Sequence, residues 1–439
     1  MSASVDPSED FASESNPQSK RFRWIVAQEG SRQTYGVPLA FHRLGKLRIL
    51  YADIWCRLGR GLLRRGPSGT RALATRFHAG IPKNLVVSFS PAAILAKSWL
   101  HFRRARIGPS ELSAEYCRFG RWYAGRIRRH LEGVELDPES DCFFGFNTNC
   151  LELMDFLKER RVFTVIDQVD PARVEEDMIL EEVERWPGWA AAPGRMTDQY
   201  WQRIEAEWKA ADCVLANSDW SRKALIRQGV ASEKIIVVPL ALELGHREDL
   251  SPVDPVGPLK VLWLGNVALR KGIPYLVEAA RSLQKQNIEF VLAGPLAISQ
   301  QAVKSFPANI TILGRVTRDH LHRVYRQAHV FVLPTISDGF AITQLEAMAH
   351  GLPVVTTPNC GQVVTHGLDG FIVPARDGQA LADALARLDA DRPLLREMSR
   401  HALQTVKQYD LPSNARLINK LVRGMRDGCQ QTVLPGATT

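Results

Sequence analysis

At 439 residues the chain is too long for one small domain and suits two or three, at roughly 100–200 residues each. Hydrophobic residues make up 45% and charged residues 23%, a globular balance that excludes a disordered tail protein and a fibrous repeat. The formal net charge of +9 is informative only once it is placed along the chain.

Residues 1–20 are polar, carry Asp6, Glu9, Asp10 and Glu14, and have neither an apolar run nor a basic start, so they read as a disordered leader and not as a secretory signal. Short apolar runs rich in β-branched and aromatic residues then alternate with helical patterns, which predicts a parallel α/β domain over residues 21–245. Its strands are expected at 23–27, 47–52, 85–89, 142–146, 162–166, 213–216 and 235–238. The stretch 84–100 is the most apolar, but Ser88, Ser90, Pro91, Lys97 and Ser98 interrupt it, and it falls short of a membrane-spanning helix.

Charge divides this half of the chain. Residues 41–130 hold 19 basic and 3 acidic side chains, whereas residues 131–190 hold 16 acidic and 5 basic. In the basic block Arg64, Arg65, Arg71 and Arg76 precede Trp99, Phe102, Arg103, Arg104 and Arg106, with Leu95, Trp99 and Phe102 on one helical face. Such a segment suits a solvated face balanced by the acidic stretch, or attachment to an anionic membrane surface. No motif of a nucleic-acid-binding module accompanies it, so nucleic acid is not an expected partner. Seven scattered cysteines without a C-x-x-C argue against a disulfide framework and a structural zinc site, and for a cytoplasmic setting, at most peripheral on the inner face of a membrane.

Pro252, Pro255, Gly257 and Pro258 mark a linker over residues 246–259. A second series of strands follows, at 260–264, 289–293, 310–313, 330–333, 354–356 and 371–373, with helices at 275–286 and 320–327, giving a second doubly wound domain over 260–410. In such sheets ligands bind beyond the carboxyl ends of strands, so the loops after Leu264, Leu313 and Leu333 are expected to share one crevice facing the first domain.

Those loops carry the chemistry. Gly265-Asn266 and then Arg270-Lys271-Gly272 follow the first of these strands; glycines let backbone approach a phosphate, and adjacent cations neutralise a diphosphate. On its own the tripeptide is equally a solvated helix start. Pro334-Thr335-Ile336-Ser337-Asp338-Gly339-Phe340 follows a later strand and leads into a helix bearing Glu346. Asp338 and Glu346 are eight apart, about two helical turns, so both are placed to face one crevice, or Asp338 caps the helix and Glu346 lies in solvent. Asp389-Ala390-Asp391 sits between a helix and Pro393 and reads as a helix-end turn, not a metal site.

Taken in order, L-G-N-V-A-L-R-K-G, L-G-R-V, L-P-T-I-S-D-G-F-A-I-T-Q-L-E-A-M-A-H-G-L-P-V-V and G-L-D-G-F-I-V-P, over residues 261–377, resemble the donor domain of retaining GT-B glycosyltransferases of family 4. The first domain shares only its α/β pattern and the A-N-S-D-W-S-R-K stretch of 216–223. The resemblance implies a GT-B fold, two Rossmann-like domains facing each other across a cleft, and metal-independent transfer from a nucleotide-diphosphate sugar, without a cofactor or covalent nucleophile, to a glycan, lipid-linked or cell-envelope acceptor. It implies that Arg270 and Lys271 hold the diphosphate, that Glu346 accepts the ribose hydroxyls, and that Asp338, in place of the family's first Glu, contacts the transferred sugar. Gly265 and Asn266 lie by the donor, as does the backbone of Gly339 and Phe340, and Arg315 belongs to the loop against which the base packs. Gly30 and Gly36 match the acceptor loop, without the family's paired glycines, and Asp167 stands in the region where relatives have a His. A C-terminal helix, within 411–439, is expected to return to the first domain. A non-catalytic nucleotide-sugar-binding or scaffold protein and a nucleotide-sugar epimerase are the alternatives of the same fold.

Overall fold

The computed structural model describes residues 22–57, 59–66, 68–103, 107–190, 194–243 and 256–428. The expected leader, most of the linker, Arg104 and Arg106, and Cys429 lie outside them. Side chains at 64 and 98–103 are likewise not described.

The first sheet has seven strands: β1 Arg23–Gln28, β2 Leu47–Ala52, β3 Val86–Ser88, β4 Asp141–Phe146, β5 Phe163–Gln168, β6 Cys213–Ala216 and β7 Ile235–Val237. All pair in parallel, in the order β3-β2-β1-β4-β5-β6-β7. The second has six: β8 Leu259–Leu264, β9 Ile288–Ala293, β10 Ile310–Gly314, β11 Val330–Leu333, β12 Val354–Thr356 and β13 Gly370–Ile372. Its order is β10-β9-β8-β11-β12-β13, again parallel throughout. Parallel strands need crossovers, which cover both faces with helices. That is why β4 and β11 are buried along their whole length and, after Asp141 at the head of β4, read as apolar runs.

Each sheet reverses its order once, between β1 and β4 and between β8 and β11. At such a switch point the loops leaving adjacent strands part in opposite directions and open a crevice. Both expected site loops of the second domain, after β8 and after β11, leave from its switch point.

The last helix, Leu411–Arg426, begins where Asp410 accepts from the Ser413 amide at 2.7 Å, with Pro412 in its first turn. Its apolar side chains Leu411, Ala415, Ile418 and Val422 follow helical spacing and are buried in the core of the first domain with Trp24, Phe41 and Phe144. Each large side chain buried there stabilises the seat by about 1.5–3 kcal/mol. The Asp389–Asp391 segment ends one helix, Gly378–Ala390, and Asp391 caps the next by accepting from the Leu394 amide at 2.9 Å. None of the six described cysteines forms a disulfide. Among the described residues no helix is long and apolar enough to cross a membrane.

Candidate functional site

A cleft of about 480 Å³ opens where the two domains face each other. Gly265, Asn266, Arg270, Lys271, Arg315, Asp338 and Phe340 line it from the second domain, and Val169, Asn217 and Leu240 from the first. The loops after β8, β10 and β11 therefore do share one crevice.

The cations are held by backbone. The turn Leu269–Lys271 ends at Gly272, whose φ of +69° is left-handed and where a Cβ would overlap the Pro334 carbonyl. This lets the turn settle on the loop after β11, and the Arg270 carbonyl accepts from the Ile336 amide at 2.8 Å and from Thr335 Oγ1 at 3.1 Å. The Lys271 ammonium contacts one oxygen of Asp338, and Arg270 Nη1 lies 3.8 Å from that oxygen. The other Asp338 oxygen accepts from the Ala341 amide at 3.1 Å, so Asp338 both caps the following turn and pairs with the cations. Burial, and then the neighbouring Arg270, pull the Lys271 ammonium down to about 7, while Glu175 opposes the shift. Arg270 and Lys271 thus stand side by side in a partly dry cleft, placed to exchange their carboxylate partners for an anion with several oxygens.

Glu346 lies on the helix Thr343–Met348, whose beginning lines the cleft. It is half-buried and accepts from Tyr325 Oη at 2.9 Å, so it is not the free solvent-facing carboxylate that spacing alone also allows. The His350 ring stacks on Tyr325, with centroids 4.7 Å apart, and its Nε2 meets His322 Nδ1 at 2.7 Å.

Gly339 faces the first domain. Its carbonyl accepts from Ser218 Oγ at 2.5 Å and Ser221 Oγ at 3.4 Å, and a Cβ there would overlap the Val169 carbonyl. Beside it Trp220 Nε1 donates to Ser337 Oγ at 3.1 Å. The A-N-S-D-W-S-R-K stretch thus supplies the clasp between domains.

The expected acceptor residues are scattered. The Gly30 amide donates to Asp53 at 3.0 Å, and this buried carboxylate also pairs with Arg76 at 3.2 Å and Lys97 at 2.6 Å. Burial pushes the Asp53 carboxyl up, and Lys97 and Arg76 more than reverse this, holding it below its ordinary range. Gly36 starts the helix Gly36–Arg43 beneath Leu411, after a left-handed turn at Gln33, Thr34 and Tyr35 with φ of 45°, 54° and 63°. Neither glycine lines the cleft. Asp167 lies opposite Phe146 on β4, two residues before the cleft-lining Val169. It is buried, one of its oxygens has no hydrogen-bond partner among the described residues, and burial pushes its carboxyl up to about 7 against the pull of Arg32.

The residues that sequence reasoning missed are Tyr325, His350, Ser218 and Glu175. Ser218 lay in a quoted motif, before the helix it caps. His350 also lay in a quoted motif, in the turn after the helix bearing Glu346, while Tyr325 and Glu175 carry no local signal that separates them from ordinary helical positions.

Two Rossmann-like domains across such a cleft make this a GT-B architecture, and solved structures share it. HepE of Anabaena, in complex with UDP and glucose, covers 92% of this chain and 100% of its own, with a TM-score of 0.56 at 14% identity. Sucrose-phosphate synthase of Thermosynechococcus elongatus covers 93% and 100%, with a TM-score of 0.58 at 16% identity.

Residues 258–391 match the family described as Glycosyl transferases group 1. Among curated relatives, the amylovoran biosynthesis glycosyltransferase AmsK of Erwinia amylovora is 29% identical over 185 residues, 38% of this chain and 45% of that protein. The putative colanic acid biosynthesis glycosyltransferase WcaL of Salmonella typhimurium is 29% identical over 213 residues, 44% and 52%. Sucrose-phosphate synthase of Zea mays is 40% identical over 99 residues, 22% and 9%. The chain thus spans about half the length, or less, of these curated relatives.

Proposed function

We propose that the protein is a glycosyltransferase that moves a sugar from a nucleotide-diphosphate donor, with retained configuration, to a glycan, lipid-linked or cell-envelope acceptor. The observation that carries this reading is the half-buried Arg270–Lys271 pair facing Asp338 at the switch point of the second sheet, in a group 1 domain. Arg270 and Lys271 hold the diphosphate and stabilise the charge that develops on it as the sugar leaves, without a metal. Asp338 takes hydroxyls of the transferred sugar, Glu346 the ribose, and Gly265, Asn266, Arg315, Gly339 and Phe340 surround the donor. The first domain, residues 21–245, is the acceptor side, with Asp167 two residues before the cleft-lining Val169. Leu62 and Leu95, 78% and 76% exposed within the basic segment, are where an anionic membrane surface carrying such an acceptor would be met.

The test is thermal-shift screening of the purified protein against nucleotide-diphosphate sugars and free nucleotides, followed by a transfer assay with the donor that shifts it. Lys271→Ala and Glu346→Ala are each expected to abolish the shift and the turnover. If either variant kept both unchanged, the site assignment would be wrong, and a donor bound but never transferred or hydrolysed favours the binding or scaffold reading.

A further inference from the structure

The helix Arg173–Arg185 follows β5 and belongs by sequence to the first domain, yet its acidic side chains reach the second. Tyr275 Oη donates to Glu182 at 2.9 Å, and Arg376 pairs with Glu181 at 2.6 Å and Glu182 at 2.7 Å. At the start of the helix Glu175 reaches Arg270, which lines the donor cleft. Its Oε1 lies 3.6 Å from Arg270 Nη1, and its Oε2 accepts from Ser337 Oγ at 3.0 Å. Its side chain is only 15% exposed, so little water compensates the charge. The groups facing it are Arg270 and Lys271 from the turn after β8, Asp170 from the loop after β5, and Ser337 with Asp338 beyond it from the loop after β11.

Arg270 is therefore shared between two anions. Before a diphosphate binds it leans on Glu175, and the same guanidinium is one of the two cations assigned above to the diphosphate. A carboxylate buried to this degree and stripped of its cation is costly to keep ionised, and a phosphate arriving beside it raises that cost.

We propose that Glu175 is a positioning residue that holds Arg270 from across the domain boundary and surrenders it to the nucleoside diphosphate, taking up a proton as it does so. Diphosphate binding and this interdomain contact then exclude one another, so the donor loosens one tie between the domains as it enters. Burial of Glu175 already pushes its carboxyl up, with Arg270 and Lys271 opposing, which is the direction that uptake requires. The inference rests on the reading of Arg270 and Lys271 as the diphosphate ligands.

The experiment is isothermal titration of the full chain with UDP, GDP and ADP at about pH 6, in two buffers of different ionisation enthalpy. At that pH Lys271, brought down to about 7, already carries its proton in most molecules, so Glu175 dominates the difference between variants. Glu175→Gln is expected to bind the diphosphate about five- to tenfold more tightly, the low end of coupling between groups competing for one partner, and to take up fewer protons per ligand bound. Ser337→Ala, which frees one Glu175 oxygen but keeps the titrating carboxyl, is expected to tighten binding by a smaller factor with proton uptake retained. It carries the test if thermal unfolding shows that Glu175→Gln does not fold. Equal or weaker binding in both variants, or unchanged proton uptake in Glu175→Gln, overturns the proposal. If the wild type binds none of the three diphosphates, the ligand assignment of Arg270 and Lys271 fails instead.

Discussion

Gly339→Ala is the perturbation whose consequence follows most directly from the geometry. A Cβ at this position would overlap the Val169 carbonyl oxygen, and it would lie 2.9 Å from Asn217 Nδ2 and 3.1 Å from Asp170 Cα. Ordinary contact then requires the loop to retreat by about 1 Å, since close-packed atoms lose much of their attraction over that distance. That retreat stretches the Ser218 bond to the Gly339 carbonyl beyond hydrogen-bonding range and loosens the Trp220 bond to Ser337. Two buried hydrogen bonds, with their polar atoms left unsatisfied, cost about 2–4 kcal/mol. The ratio of closed to open domains should fall roughly 30- to 1,000-fold. Both hydrophobic cores are untouched, so each domain should keep its own stability. Small-angle scattering should show a larger radius of gyration, and hydrogen exchange should quicken at the amides of residues 218–223. Gly314→Ala is the control: its φ is +66° but nothing lies within 4 Å of the added carbon, so it carries a local backbone cost of about 1 kcal/mol without opening the domains. Wild-type scattering and unchanged exchange in Gly339→Ala would refute the argument that this close approach governs the domain contact.

Two further outcomes are expected. Asp167 is raised in the folded protein from an ordinary 3.8 to about 7, so the folded state keeps a proton that the unfolded chain has lost; the stability this contributes is full below 3.8 and is lost as pH rises through 7. The gain in Tm of Asp167→Asn over the wild type should therefore grow between pH 4 and pH 8 in scanning calorimetry, and a flat difference would mean that the buried carboxylate is compensated. The basic segment should carry the protein down with anionic liposomes, less so at raised salt; sedimentation indifferent to salt, or absent, counts against electrostatic attachment, and Leu62→Ser with Leu95→Ser should weaken it without changing the fold.

The strands were legible because parallel strands buried on both faces must be apolar along their length. The runs at 47–52, 213–216, 330–333 and 354–356 coincide with β2, β6, β11 and β12 to the residue. Others differ only at their ends, as where β5 runs on through Asp167 and Gln168, polar residues that a hydrophobic run excludes. The cations were legible for a related reason, since Gly272 must follow them for the chain to turn against Pro334. What was not legible is pairing at a distance. Asp53 and Lys97 are 44 residues apart and Ser218 and Gly339 are 121 apart, and nothing local marks either pair. Glu175 was hidden in a run of acids that reads as a solvated helix face. Only the fold separates Glu175, which meets Arg270, from Asp177, which pairs with Arg195 at 2.8 Å on the surface.

The seat of the helix Leu411–Arg426 bears on how the molecule is made. The face of the first sheet bearing Trp24 and Phe144 is closed by Leu411, Ala415, Ile418 and Val422, residues synthesised only after the whole second domain. A ribosome that has finished the first seven strands has therefore released a half-covered core, with an apolar groove open beside Gly36–Arg43 until the second domain has followed. The first domain is completed last although it is made first, so the two domains mature as one unit, and a chaperone that shields that groove during synthesis would be protecting the site of the final step.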